Sequence, residues 1–292
     1  MSLRLISSRK APHPLQTLPM TPENRDFHIR FETVRMAFGE RVVFDSLSCD
    51  FPRGKISVIL GGSGSGKSTI LRLIGGLVQA QTGAIVVDGD DIVGMSERRL
   101  YTVRRKLGMM FQGGALLDSL TVFDNLAFPL REHTKLGETE IAAEVQDRLA
   151  AVGMASAGNL LRGQLSGGML KRAALARAII NKPAILLCDE PFSGLDPAST
   201  KRIERLLIRM NRDTAATMLV VSHHIPSTMR MADRVLLLLP HGPVAGAPAE
   251  LRSSADRRVT AFLNEEPPET EEAEEEEVDA PPAGRAAKGG RW

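Results

Sequence analysis

The chain has 292 residues, 43% of them hydrophobic and 25% charged, with 37 Lys and Arg against 35 Asp and Glu for a net charge of +2. This is the composition of a globular protein with room for a large core; it excludes disordered, collagenous and disulfide-built classes, and it lacks the basic excess expected of a nucleic-acid binder. The charge is unevenly placed, however: residues 265–292 hold ten acids and three bases, a net of −7, which leaves +9 on residues 1–264.

Residues 1–26 carry four of the seventeen prolines and no apolar periodicity, so they read as a flexible arm, and no continuous apolar stretch marks them as a secretory signal. The folded domain is expected over residues 27–264. HIRFETVRMAF and Arg41 to Phe51 alternate as strands do, and KISVILGGSGSGKSTILRLIGGL then sets an apolar run, a glycine-rich turn and a helical pattern in succession. AILLCDE, TMLVVSH and RVLLLL are further buried-strand signals separated by helical segments, which predicts an α/β fold with a mostly parallel sheet. Between them, residues 113–180 switch to helical periodicity and read as an inserted helical subdomain. No run reaches the roughly 20 apolar residues needed to cross a bilayer. Cys49 and Cys188 show no CxxC spacing, which argues against a zinc site and fits a reducing compartment. From Glu265 the chain is acidic and proline-rich; a solvating tail is the plain reading, and a docking function the alternative.

The chemistry lies in the turns after these strands. Gly61, Gly62, Ser63, Gly64, Ser65, Gly66, Lys67, Ser68 and Thr69 satisfy G-x4-G-K-[ST] between a predicted strand and a predicted helix, the context a phosphate-binding loop requires. Its backbone N–H groups converge on phosphate oxygens at a helix N-terminus, Lys67 brings a positive charge to the β and γ phosphates, and the Ser68 hydroxyl is a ligand for Mg²⁺. A nucleotide and Mg²⁺ are thus the expected ligands. ILLCDE ends a strand on two acids, which alone would suit a solvated loop or a helix cap; with the phosphate loop upstream, Asp189 is expected to hold Mg²⁺ through water and Glu190 to polarise the attacking water. LSGGM places Ser166, Gly167 and Gly168 at a second helix N-terminus, where an ordinary helix cap is the competing reading.

Together with Gln112 in MMFQ, SGLD at Ser193 to Asp196 and His223 in VVSH, these motifs resemble the ABC ATPase family in order and separation over about residues 27–264. The resemblance implies a P-loop NTPase fold with a RecA-like parallel-sheet core, an antiparallel N-terminal β-subdomain and the inserted helical subdomain. It implies a head-to-tail homodimer in which Ser166 and Gly168 of one subunit close over the γ-phosphate held by the other. It gives Gln112 the sensing of Mg²⁺ and water, Asp196 communication across the dimer and His223 a contact to the γ-phosphate, with none of these roles for His224. Phe38 is the candidate for stacking on adenine, the alternative being that it packs in the sheet edge.

One cassette, with about 52 residues between Gln112 and the signature, has the proportions of a transporter ATPase acting on separate permease subunits. The stretch Arg98 to Leu136 and LSGGMLKRAALARAI closely resemble the ATPase subunit of Mla-type, MCE-linked phospholipid or toluene-tolerance transporters. That implies a peripheral protein on the cytoplasmic face of the inner membrane, with permeases, a periplasmic MCE-domain protein and a STAS-domain regulator as partners. The alternatives are the ATPase of a small-solute or lipoprotein ABC system, and a nucleotide-dependent scaffold that turns over little. Arg98, Arg99, Arg104, Arg105 and Lys106 read as a solvated basic face or a permease contact, and Ala249 to Leu263 as a segment able to grip a neighbouring ATPase.

Overall fold

The structure, a computed structural model, describes residues 26–266. The expected N-terminal arm, Asp26 apart, and all but the first two residues of the expected acidic tail lie outside the described residues. Strands β1 (Phe27–Phe38) and β2 (Arg41–Pro52) form an antiparallel hairpin, extended by β4 (Thr82–Val87) and β5 (Asp90–Asp91) into a four-stranded sheet of order β2-β1-β4-β5. The second sheet has the order β10-β9-β3-β8-β7-β6, built from β3 (Ile56–Gly61), β6 (Leu107–Met110), β7 (Ile185–Asp189), β8 (Thr217–Val221), β9 (Arg234–Leu238) and β10 (Val244–Gly246). All its pairings are parallel except that of β10 with β9.

Every residue of β3, β7 and β8 is buried, as the uninterrupted apolar runs require of strands covered on both faces. Their side chains alternate between two cores. Val58, Leu60, Leu186, Cys188, Met218 and Val220 face a core shared with α3 (Val122–His133), α4 (Glu138–Ala151), α5 (Gly167–Ala178) and α6 (Pro197–Thr214). Ile59, Ile185, Leu187, Leu219 and Val221 face the other, against α1 (Lys67–Ile74), α2 (Glu97–Arg104) and the antiparallel sheet. Nothing in LGMM alone marks a strand; pairing with β7 makes β6 one. Helices α3, α4 and α5 and a 3-10 turn at Arg162–Gln164 fall between β6 and β7, as the helical periodicity predicts.

Two expectations change. Arg104 and Lys106 do not form a solvated face: Arg104 donates to the carbonyls of Gly75 and Gly76 and to Glu97, and Lys106 pairs with Asp88 and Asp90, so these cations staple α2 and β6 to their neighbours. Arg98 and Arg105 are exposed. In α8 (Pro248–Arg252) and α9 (Arg257–Leu263), buried Leu251 and Val259 commit that segment to the core of its own chain, beside α7 (Ile225–Met231).

Candidate functional site

Five parallel strands end along one edge of the sheet, and the turns beyond them carry the expected motifs, the place where an open α/β sheet forms its crevice. Gly66 starts α1 with a φ of 95°, and a Cβ there would lie 2.5 Å from Phe44 Cζ, so both backbone and space demand glycine. The same turn aims the first amides of α1 into the crevice. Lys67 Nζ donates to the carbonyls of Gly61 and Gly62, each at 2.8 Å. Partial burial pulls its ammonium below the ordinary lysine value, against the upward pull of Glu190 and Asp189.

Ser68 Oγ donates to Asp189 Oδ1 at 2.9 Å. The two hard oxygen donors therefore stand together across α1 and β7. Glu190 follows with a φ of 49°, left-handed for a residue with a Cβ, which is a strained conformation of the kind that gathers at reactive sites. Its N–H donates to Val221 O at 3.0 Å. Glu190 is buried, and its Oε2 receives no hydrogen bond; His223 Nδ1 lies 2.8 Å away but out of line for one. The His223 side chain is 66% exposed and lines the same cleft as Lys67 and Glu190. His224 instead caps α7, its Nδ1 accepting from Ser227 N, which is the structural role its neighbour lacks.

A cleft of about 440 Å³ brings together Gly61, Gly62, Ser63, Lys67, Glu190 and His223. A second, of about 300 Å³, joins Gly64, Gly66, Ser68 and Thr69 to Phe38 and Arg41. Phe38 is 47% exposed at the end of β1, so its ring stands beside the loop and does not pack into the sheet edge. Gln112 is exposed just beyond β6 and is tied to the site through its backbone carbonyl.

The structure keeps two predicted groups apart from this crevice. Ser166 caps α5, accepting from Met169 N, and Asp196 caps α6, accepting from Ala198 N and Ser199 N at 2.9 Å each. Gly167 and Gly168 lie against Leu195 and Ser199, so the signature and the SGLD turn form one continuous patch. Hydrogen bonds from Ser199 hold the exposed Asp196 carboxyl below the usual range.

The family model for the ABC transporter matches residues 44–193. The chain belongs to the ABC transporter family. Its cassette is an ATP-binding, ATP-hydrolysing one, 45% identical over 227 residues to the Escherichia coli (strain K12) intermembrane phospholipid transport system ATP-binding protein MlaF, covering 77% of this chain and 84% of MlaF. It is 42% identical over 229 residues to the "Probable ribonucleotide transport ATP-binding protein mkl" of Mycobacterium tuberculosis (strain ATCC 25618 / H37Rv), covering 78% of this chain and 64% of that one. The fold matches the cassette MJ0796, solved as a dimer in a post-hydrolysis state bound to ADP and Pi, with a TM-score of 0.66 and 29% identity over 72% of this chain and 93% of that one.

Four residues around this crevice carry no clear signal in the sequence. Arg41 Nη2 reaches Gly64 O at 3.4 Å. Lys171 ties its helix to two loops at once, and its only mark in the sequence is a cation on the otherwise apolar face of a helix. Glu265 and Glu266, read as the start of a solvating tail, follow α9 closely enough to line the cleft of Lys67 and Glu190 with Phe262. Among the described residues no helix is long and apolar enough to cross a membrane.

Proposed function

We propose that this cassette is the ATPase of a phospholipid transporter, working as a homodimer against separate permease subunits at the cytoplasmic face of the inner membrane, with residues 27–264 as the motor unit. The observation that carries the cargo is the 45% identity extending over 84% of MlaF. An MCE-domain protein and a STAS-domain regulator complete the proposed complex.

In the proposed cycle the amides of Gly64 to Thr69 and the Lys67 ammonium bind the β and γ phosphates, and Phe38 stacks on the base. Ser68, Asp189 and Gln112 offer a hydroxyl, a carboxylate and an amide oxygen, a hard oxygen set suited to Mg²⁺, and the close approach of Ser68 to Asp189 supports that fit. Bound there, Mg²⁺ would neutralise charge on the phosphate oxygens. The buried Glu190 Oε2, free of donors, accepts a proton from water as the water oxygen bonds to the γ-phosphorus and the bond from that phosphorus to the β–γ bridging oxygen breaks, releasing ADP and phosphate. His223 turns to the γ-phosphate. The patch of Ser166, Gly168 and Asp196 meets the phosphates of a second subunit, which accounts for its separation from the P-loop within one chain.

The test is to purify the cassette with its native membrane subunits in detergent and identify the proteins and small molecules carried with it by mass spectrometry. A permease with an MCE-domain protein and bound phospholipid is the expected result. Recovery of a nucleotide-binding or other solute-binding subunit would keep the motor and overturn the lipid cargo, the outcome that the similarity to mkl favours.

A further inference from the structure

Lys171 lies one turn into α5, three residues beyond Gly168, and is only 6% exposed. A buried ammonium is costly unless all three of its N–H donors find acceptors. Here they do: Nζ donates to Gln112 O at 2.7 Å, to Glu190 O at 2.9 Å and to Ser193 Oγ at 2.9 Å. Ser193 Oγ in turn donates to Glu190 O at 3.0 Å, closing the cluster.

These three acceptors belong to two connections, Gln112 to the turn after β6 and Glu190 and Ser193 to the one from β7 to α6 that includes SGLD, while the donor rides on the helix capped by Ser166. None of them is a carboxylate. The cation goes to backbone and hydroxyl oxygens and takes no hydrogen bond to the Glu190 carboxylate, where an apolar side chain of similar length would fill the same space without the cost of desolvating a charge. Its placement bears on the strain at Glu190. A left-handed conformation persists in a residue with a Cβ only when its surroundings over-determine it. Val221 O takes the N–H of Glu190, and Lys171 and Ser193 hold its carbonyl, so the peptide units on both sides of the strained φ are fixed.

We propose that Lys171 is a positioning residue for ATP hydrolysis: it clamps the carbonyl of Glu190 so that the carboxylate stays aimed into the cleft, and through Gln112 and Ser193 it ties that aim to the signature helix. A displacement of α5, such as docking of a second subunit on the signature patch would cause, then reaches the catalytic carboxylate through one side chain. The proposal rests on the hydrolytic reading of Glu190 given above.

The test uses the cassette assembled with its membrane subunits and measures kcat, KM, the Kd for a fluorescent ATP analogue and the unfolding temperature. K171M keeps the length of the side chain and removes its donors. It is expected to lower kcat about tenfold or more, the scale set by losing charge-assisted hydrogen bonds, while KM and Kd stay within about threefold. S193A should lower kcat by less, and the double variant should be no slower than K171M alone, because both residues act on one carbonyl. If K171M prevents folding, K171L, which likewise removes the donors, carries the same comparison. A kcat within about twofold of the parent, a loss that appears equally in Kd, or independent multiplication of the two losses would overturn the proposal. E190Q is the control: if it leaves turnover unchanged, the hydrolytic reading itself fails, whatever Lys171 does.

Discussion

The two ends of the six-stranded sheet put their polar groups to different uses. At the amino-terminal end, buried His28 accepts from Arg53 at Nε2 and therefore donates from Nδ1 to Thr217 Oγ1 at 2.6 Å, while Asp88 takes Arg53 at 2.8 Å and Lys106 at 2.9 Å. Thr217 Oγ1 also accepts from Gly54 N. At the carboxyl-terminal end, Glu190 Oε2 and Ser65 Oγ are buried without partners, and Glu190 is strained. Satisfied networks hold a fold together; buried groups kept unsatisfied are available to a substrate. Ser57 Oγ and Arg148 Nε are also buried without partners toward the amino-terminal end, so what sets the carboxyl-terminal end apart is that its orphaned atoms lie on the phosphate loop and on a strained residue of the crevice.

The sharpest way to break this contrast is at Glu190. E190Q should lower kcat about a thousandfold, the upper part of the range for a general base, while the unfolding temperature holds or rises because a buried charge has been removed. K67A should act on the same end by weakening nucleotide binding, read as a raised Kd for ATP. At the opposite end, burial pushes the Asp88 carboxyl up, but hydrogen bonds from Arg53 and Lys106 outweigh it and hold it below the usual range. D88N should therefore cost about 1–3 kcal/mol in a denaturant titration, with kcat within about twofold of the parent.

His28 sharpens the comparison through pH. Burial first, then the charge of Arg53, lower its pKa from 6.5 to about 4. The folded chain resists a proton that the unfolded chain accepts, so this contribution to stability is complete above pH 6.5 and is lost as pH falls toward 4. The loss is on the order of 3 kcal/mol, and H28Q should start from a lower baseline and flatten that slope. The smallest effect is expected at Phe38: F38A should raise the KM for ATP about threefold, and F38Y should leave it unchanged, since the ring face makes the contact.

Much of the catalytic edge was legible because its chemistry is local. A glycine-rich turn, a lysine and a serine must be consecutive to wrap phosphate, so Gly61 to Thr69 announce themselves by spacing, whereas Asp189–Glu190 at a strand end take their meaning from that loop upstream. Phe38, Gln112, Asp196 and His223 came instead from resemblance to a family, because a single aromatic, amide, acid or histidine has no pattern of its own. Lys171 and Arg41 were not legible, since each acts on residues distant in the chain: Lys171 Nζ meets Gln112 across 59 positions. The cations Arg104 and Lys106 looked like a charged surface for the same reason; the acceptors that bind them come from other elements.

The sequence by itself determined the α/β class, the strand runs and the identity of the nucleotide loop, because apolar periodicity and consecutive motifs are properties of short segments. Only the tertiary structure decided which polar groups are satisfied. It brought the carbonyls of Gln112 and Glu190 to one buried ammonium, left a carboxylate oxygen beside His223 without a donor, and set Ser166 and Asp196 in one patch away from the P-loop. Hydrogen-bond satisfaction depends on where distant segments meet, and that is fixed when the sheet orders its strands and the two cores close on either face.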